Sequence, residues 1–543
     1  MDRPKQHGTA LKPADRMEQR VRTTPVSHSR TLRYDDVSVL TSGYGGKLLP
    51  VAMVPLLRED SVLNSTIAVN FQMAETAEML VNPVRATAYA YLVPKLALDR
   101  FSGFDAINRS YNGQQEIDGS TIPWFDQVQA GDPPNELYQK LGLHVPQDGL
   151  VNSDVVESYT AVFNHMAKQA SLDVPETGYR NPAVQPAFWE HTQMRHVKAS
   201  FDDAMMDGAV PLSFVGQTDQ LRVKSKERSS FGESAALGQA PTGSAAFTPP
   251  YDQDGYDWAG EIWAEMTANS VQVSLANIDL ARETAAWARL RTQYQGLDED
   301  WMMDQLLSGV RIPEEGMKHP ILLDKQSVPF GMSQRYATDG GNLDKSVTDG
   351  RTALQLRLRT PPVNTGGMIV IVASCLPEMI FERTKDHYFF AKNVSELPNR
   401  TSDELDPQPV DIVSNGDVDT AHGLPDDIFG YEPLNAKWMR NTPRIGGKYY
   451  RADPFAAWSE DRNRIWDTNV VNPALGDDFY LARNLKHDVF ADKNTDSFEI
   501  WAGGRVRIEG LTYFGPSLLE STDDYQKVLD QVDLDRVDPD QTP

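Results

Sequence analysis

Several stretches of this chain carry side chains whose type and spacing invite a chemical reading. Gly43-Tyr44-Gly45-Gly46-Lys47 has the glycines and lysine of a phosphate-cradling loop. It lacks the four-residue gap and the Ser/Thr after the lysine, where Leu48 stands, so a turn before a strand is expected. His191 and His196 lie five residues apart, which does not put both on one helix face, and no HExxH occurs. Asp252, Asp254 and Asp257 around Gly255 lack the bidentate Glu of a calcium loop, which favours a solvated turn. There is no Gly-x-Ser-x-Gly nucleophile elbow. Many Asp/Glu pairs have the chemistry of a glycosidase acid and base, but sequence does not show two of them facing one cleft. The single cysteine, Cys375, lies in the apolar run from Met368 to Leu376; it excludes an internal disulfide and reads as a buried, inert thiol. The expectation is therefore a protein without catalytic residues, metal or cofactor.

At 543 residues the chain exceeds a usual single domain, and 40% apolar residues with ten tryptophans suffice for a sizeable core. A formal charge of -25 argues against a surface devoted to nucleic acid and for solubility and basic partners. No apolar run approaches the roughly 20 residues of a membrane span, and no signal peptide is visible, which predicts a cytoplasmic setting. Residues 1–34 form a basic arm with Arg3, Lys5, Lys12, Arg16, Arg20 and Arg22, suited either to phosphate contact or to tying subunits together.

From Gly46 to Phe104 the pattern predicts three short strands, the clearest from Arg85 to Val93 between Pro83 and Pro94. On it Thr87, Tyr89, Tyr91 and Val93 face one way, and Ala86, Ala88, Ala90 and Leu92 the other. Residues 105–150 read as turns. A helix capped by Asp154 is expected over 154–170, burying Val155, Tyr159, Val162, Phe163, Met166 and Ala170. Lys224 to Gly260 reads as a long loop; further helices are expected over 277–296 and 298–309. Thr352 to Arg359 alternates as a half-exposed strand between Gly350 and Pro361, and Met368 to Leu376 reads as a central strand. Residues 392–427 read as a polar loop. Ser497–Trp501 and Arg505–Tyr513 read as a hairpin across Gly503-Gly504, with Arg505 and Arg507 on its polar face, either solvated or in contact with DNA or a neighbouring subunit. An acidic tail covers 516–543.

The order of spaced residues carries a resemblance. Pro50-Val51, Glu59-Asp60, Asn82-Pro83-Val84, a strand ending Tyr91-Leu92-Val93-Pro94, and Asp99-Arg100-Phe101 look like the N-terminal region of major capsid proteins of the Microviridae, small single-stranded DNA phages. Tyr159 with Phe163-Asn164, Phe201-Asp202-Asp203-Ala204 before Pro211, Val328-Pro329-Phe330, and Phe429-Gly430-Tyr431-Glu432-Pro433 with Trp438 and Trp458 continue it in family order. The resemblance implies a mainly β fold, an eight-stranded antiparallel viral jelly roll with its first strands in 35–104, insertions in 105–320 and the remaining strands in 321–515. It implies a structural protein of which about sixty copies, as pentamers, close a T=1 shell around single-stranded DNA. Implied partners are copies of itself, the packaged DNA, a small basic DNA-binding protein, a pilot or spike protein, and a host surface receptor met by insertions. The competing expectation is a β-sandwich polysaccharide hydrolase with an acidic, Trp-lined cleft.

Overall fold

A computed structural model describes residues 28–116, 119–171, 174–190, 194, 197–199, 222–225, 262–265, 315–336, 346–379, 381–400, 410–439, 444–451, 462, 464–468, 470, 472–483 and 485–515. The chain divides into two compact units, Met1–Ala204 with Arg311–Pro543, and Met205–Val310.

In chain order the first unit opens with β1 (Thr31–Gly43), β2 (Leu49–Leu56), β3 (Asp60–Thr76) and β4 (Val84–Pro94). Short elements follow: α1 (Phe104–Tyr111), β5 (Gln127–Gln129), α2 (Glu136–Leu141), β6 (Leu150–Asn152) and the longer α3 (Asp154–Ala170). In the second unit, β7 (Arg222–Ser225) and β8 (Ile262–Glu265) form an antiparallel pair. The first unit resumes with β9 (Ile321–Pro329), β10 (Gly331–Tyr336), β11 (Ser346–Val363) and β12 (Gly367–Pro377). β13 (Val410–Ser414), β14 (Ile428–Pro433) and β15 (Phe498–Gly510) complete it.

Two antiparallel sheets form a sandwich, one ordered β1-β15-β3-β11-β10 and the other β2-β12-β4-β9. The physical cause is legible in β4. Its small residues Ala86, Ala88 and Ala90 face the inter-sheet core with Ile67, Val69, Leu356 and Ile371. Its other face, with Tyr89, Tyr91 and Val93, packs with Val370 and Val372 against Tyr159, Val162, Phe163 and Met166 of α3. The four-stranded sheet is thus covered on both faces, which is why β12 reads as an uninterrupted apolar run. The five-stranded sheet has one buried face and one wet face. In β11, Leu354, Leu356 and Leu358 are buried while Gln355, Arg357 and Arg359 are exposed.

Several boundaries differ from expectation. β1 begins at Thr31, inside the stretch read as the arm, because its ladder to β15 starts with Thr31 opposite Gly510. β3 is a 17-residue strand, not a short one. Residues 105–150 include most of α1, all of α2, β5 and the first residue of its partner β6. β11 runs through Gly350 and Pro361, both still within the strand. The segment 392–427 contains β13, which pairs with β14, and a single helical turn at Asn415–Val418. The expected hairpin near the C-terminus is one continuous strand, β15. Gly503 and Gly504 stay in the ladder opposite Ser38 and Val37. A Cβ on Gly504 would lie 2.6 Å from the Thr66 carbonyl oxygen, so this glycine allows close approach of β3 and makes no turn. The expected helices over 277–296 and 298–309, the Phe201 and Trp458 landmarks, and the acidic tail lie outside the described residues, as does most of the Lys224–Gly260 loop.

Candidate functional site

Arg100 is the one charged landmark with a dense set of partners. It donates to Glu157 (2.5 Å), to the Trp124 carbonyl oxygen (3.0 Å) and to Ser153 (3.1 Å), and it pairs with Asp154. Lys95 reaches the other Asp154 oxygen, and Arg180 bridges Glu157 and Asp126. Lys95, Asp154 and Glu157 are buried, and burial pulls the Lys95 ammonium down to about 8 against the favourable pull of Asp154. The cluster ties the segment after β4 to the first turn of α3. Asp154 is therefore not the expected cap. Ser153 occupies the N-cap without a side-chain hydrogen bond, and Asp154 spends its carboxylate on the two cations. The buried face of α3 is the expected one at Tyr159, Val162, Phe163 and Met166, but it also takes in Val156 and Ala167, while Val155 and Ala170 are only half-buried. Sequence reasoning missed Lys95 and Arg180, for which no local pattern exists; Glu157 is legible as an acid of the helix's first turn, but its two arginine partners are not.

The remaining landmarks are distributed through the scaffold and are not gathered into one pocket. Pro50 pairs with Val372 across β2 and β12, and Pro94 with Gly367. Asn82 holds both the N–H (2.9 Å) and the carbonyl oxygen (2.7 Å) of Trp466. Pro83 accepts from the Glu378 N–H, and Pro329 lies opposite Arg85. Burial raises the Tyr91 phenol to about 12. Asp99 is exposed. A Cβ on Gly430 would fall 2.8 Å from the Lys198 carbonyl oxygen, and Tyr431 exchanges two backbone hydrogen bonds with Lys198. Trp438 sits in a helical turn beside His387, with ring centroids 6.4 Å apart. The glycine-lysine stretch is a turn: the Gly46 N–H donates to the Cys375 carbonyl oxygen, and the Gly46 carbonyl oxygen accepts from the Ala187 N–H. Cys375 is fully buried and its thiol is pushed upward by desolvation.

Arg505 and Arg507 lie on the wet face of the five-stranded sheet. The registers stack one residue from each of β1, β15, β3 and β11 into transverse rows: Asp36–Arg505–Thr66–Arg357, then Ser38–Gly503–Ala68–Gln355, then Leu40–Trp501–Asn70–Ala353. Beyond the first row, Tyr34 opposes Arg507, and Arg359 flanks the same stretch of β3. Arg505 makes a two-pronged pair with Asp36 at 2.5 and 3.0 Å. The basic arm residues Arg3, Lys5, Lys12, Arg16, Arg20 and Arg22 lie outside the described residues.

A small cleft of about 40 Å³ is lined by Glu382, Arg383, Asp419, Arg462, Asp467 and Thr468, among others. Arg383 clamps Asp419 with two 2.6 Å bonds, and Arg462 reaches Glu382 at 2.9 Å. Desolvation, aided by Glu382 and opposed by the Thr468 N–H and two arginines, raises the Asp467 carboxyl to about 7. The space fits a few waters and is far below the roughly 300 Å³ of small-molecule sites. Among the described residues, no three His, Cys, Asp or Glu side chains approach as a metal site would need. No helix among the described residues is long and apolar enough to cross a membrane. Compared with known proteins, the chain matches no family model and no curated protein.

Proposed function

We propose that this chain is the major capsid protein of a small icosahedral single-stranded DNA phage resembling the Microviridae, built on a viral jelly roll. The supporting observation is the winding of the sandwich. β10 only extends one sheet beyond β11; eight strands remain. Of these, β1 pairs with β15, β2 with β12, β3 with β11 and β4 with β9, first with last and so on inward. Such pairing belongs to one long antiparallel ribbon wound so that its rungs alternate between two sheets, the plan of a jelly roll. The chain between β4 and β9, where most insertions fall, lies at the closed end of that ribbon, where added length costs little.

On this reading, function resides in repeated subunit contacts, and about sixty copies, as pentamers, close the shell because symmetric closure multiplies modest contacts. The basic arm or a separate basic protein neutralises packaged DNA, and insertions meet a pilot or spike protein or a host receptor. The cleft at Glu382 and Asp419 lends the hydrolase reading no support, because each carboxylate is tied to an arginine and the space is too small for a sugar. Electron microscopy with sedimentation of the expressed chain, alone and with the phage's other virion proteins, tests the proposal. Pentamers or closed shells are expected. A monomer under every condition overturns it.

A further inference from the structure

The wet face of the five-stranded sheet is unusual for this chain. Arg357 and Arg505 share one row with Asp36, and Arg359 and Arg507 lie two residues further along β11 and β15, on a protein of net charge -25; among the described residues, the only other carboxylate bonded there is that of Asp324, which accepts from the Arg357 backbone N–H at 2.8 Å. Arg357, Arg359 and Arg507 form no ion pair among the described residues. Two rows away, Trp501 is 44% exposed and its indole lies over Gly503, where a Cβ would come within 2.6 Å of the ring. Leu40, its cross-strand neighbour, is 75% exposed. The face therefore offers clustered cations beside an apolar platform.

We propose that this face is covered by the chain's own acidic segment, residues 516–543. That segment carries eight carboxylates against Lys527 and Arg536, with Leu518, Leu519, Val528 and Leu529 interspersed. Its origin is favourable: the Thr512 carbonyl oxygen accepts from the Thr31 hydroxyl, so the described chain ends beside the first residues of β1, close to the Tyr34–Arg507 pair. Fully extended, the segment reaches about 90 Å, while β15 from Gly510 back to Trp501 spans only about 30 Å. Tethering makes the encounter intramolecular, with an effective concentration of about 1 mM for a flexible linker of this kind. The carboxylates meet the arginines, and the leucines cover Trp501 and Leu40. This inference does not depend on shell formation.

The test uses the full chain in unassembled form, with Gln531→Cys carrying a bimane fluorophore, which an adjacent tryptophan quenches. Buried Cys375 stays unlabelled. The expected result is quenching at low salt that is independent of protein concentration. It should be relieved about twofold or more by salt near 1 M, where the Debye length falls to about 3 Å. Trp501→Phe and, separately, the pair Arg357→Gln/Arg507→Gln should relieve it equally. Quenching untouched by all three changes overturns the proposal. Quenching that disappears on dilution also overturns it, by making a second copy the occupant. Binding of oligothymidylate that needs Arg357 and Arg507 but leaves bimane emission unchanged overturns it in favour of nucleic acid.

Discussion

At the scale of single residues, the buried charges carry the clearest consequences. Arg100 holds Asp154, Glu157 and Ser153 together where none of them has ready access to water. Truncating it strands carboxylates that were desolvated on folding. Arg100→Ala is expected to lower unfolding free energy by about 3 kcal/mol, measured by urea denaturation, whereas Asp99→Ala beside it should change little. Asp467 makes a pH-dependent prediction. Its carboxyl sits at about 7 in the folded chain against 3.8 in its ordinary state, so the folded form binds the proton more tightly. Its contribution to stability is therefore complete below about pH 4, declines as pH rises, and is lost above about pH 7. Asp467→Asn keeps the acceptor for the Thr468 N–H and removes the titration. Urea midpoints at pH 5 and pH 8 should show the variant gaining on the parent at the higher pH; an unchanged difference would mean Asp467 is charged throughout.

At the scale of elements, alternation in β11 decides what each position tolerates. Leu356 is fully buried opposite Ile67, while its neighbour Gln355 faces water. Leu356→Ala should cost about 2–5 kcal/mol, and Gln355→Ala should stay within about 0.5 kcal/mol, both read from denaturation midpoints. The turn into β12 is equally demanding. Gly367 has φ +155°, and a Cβ there would lie 2.3 Å from the Val93 carbonyl oxygen. Gly367→Ala should therefore loosen the pairing of β12 with β4 at its first rung, seen as faster hydrogen exchange of Val93 and Ile369.

At the scale of the whole molecule, the proposed shell separates two roles for charge. Neutralising Arg3, Lys5, Lys12, Arg16, Arg20 and Arg22 to Gln should leave shell formation intact and reduce the DNA carried per particle, measured by the absorbance ratio of purified shells. Loss of the shells themselves would assign the arm to subunit contacts instead.

Periodicity and turn residues in the sequence determined the local elements. The two faces of β4, the leucine alternation of β11 and the apolar run of β12 each follow from which side chains recur at spacing two. The extent of α3 was legible for the same reason, from spacing three to four. Only the tertiary structure decided the rest. Whether Gly503-Gly504 turns or stays straight depends on β1 and β3, which are hundreds of residues away and flank the strand on both sides. Asp154 has the side chain of a cap, but two buried cations from the segment after β4 claim it. The arginine rows exist because three ladders align in register, and no window of sequence contains Asp36, Thr66, Arg357 and Arg505 together. Local propensity is a property of neighbours in the chain; pairing, burial and charge clustering are properties of neighbours in space.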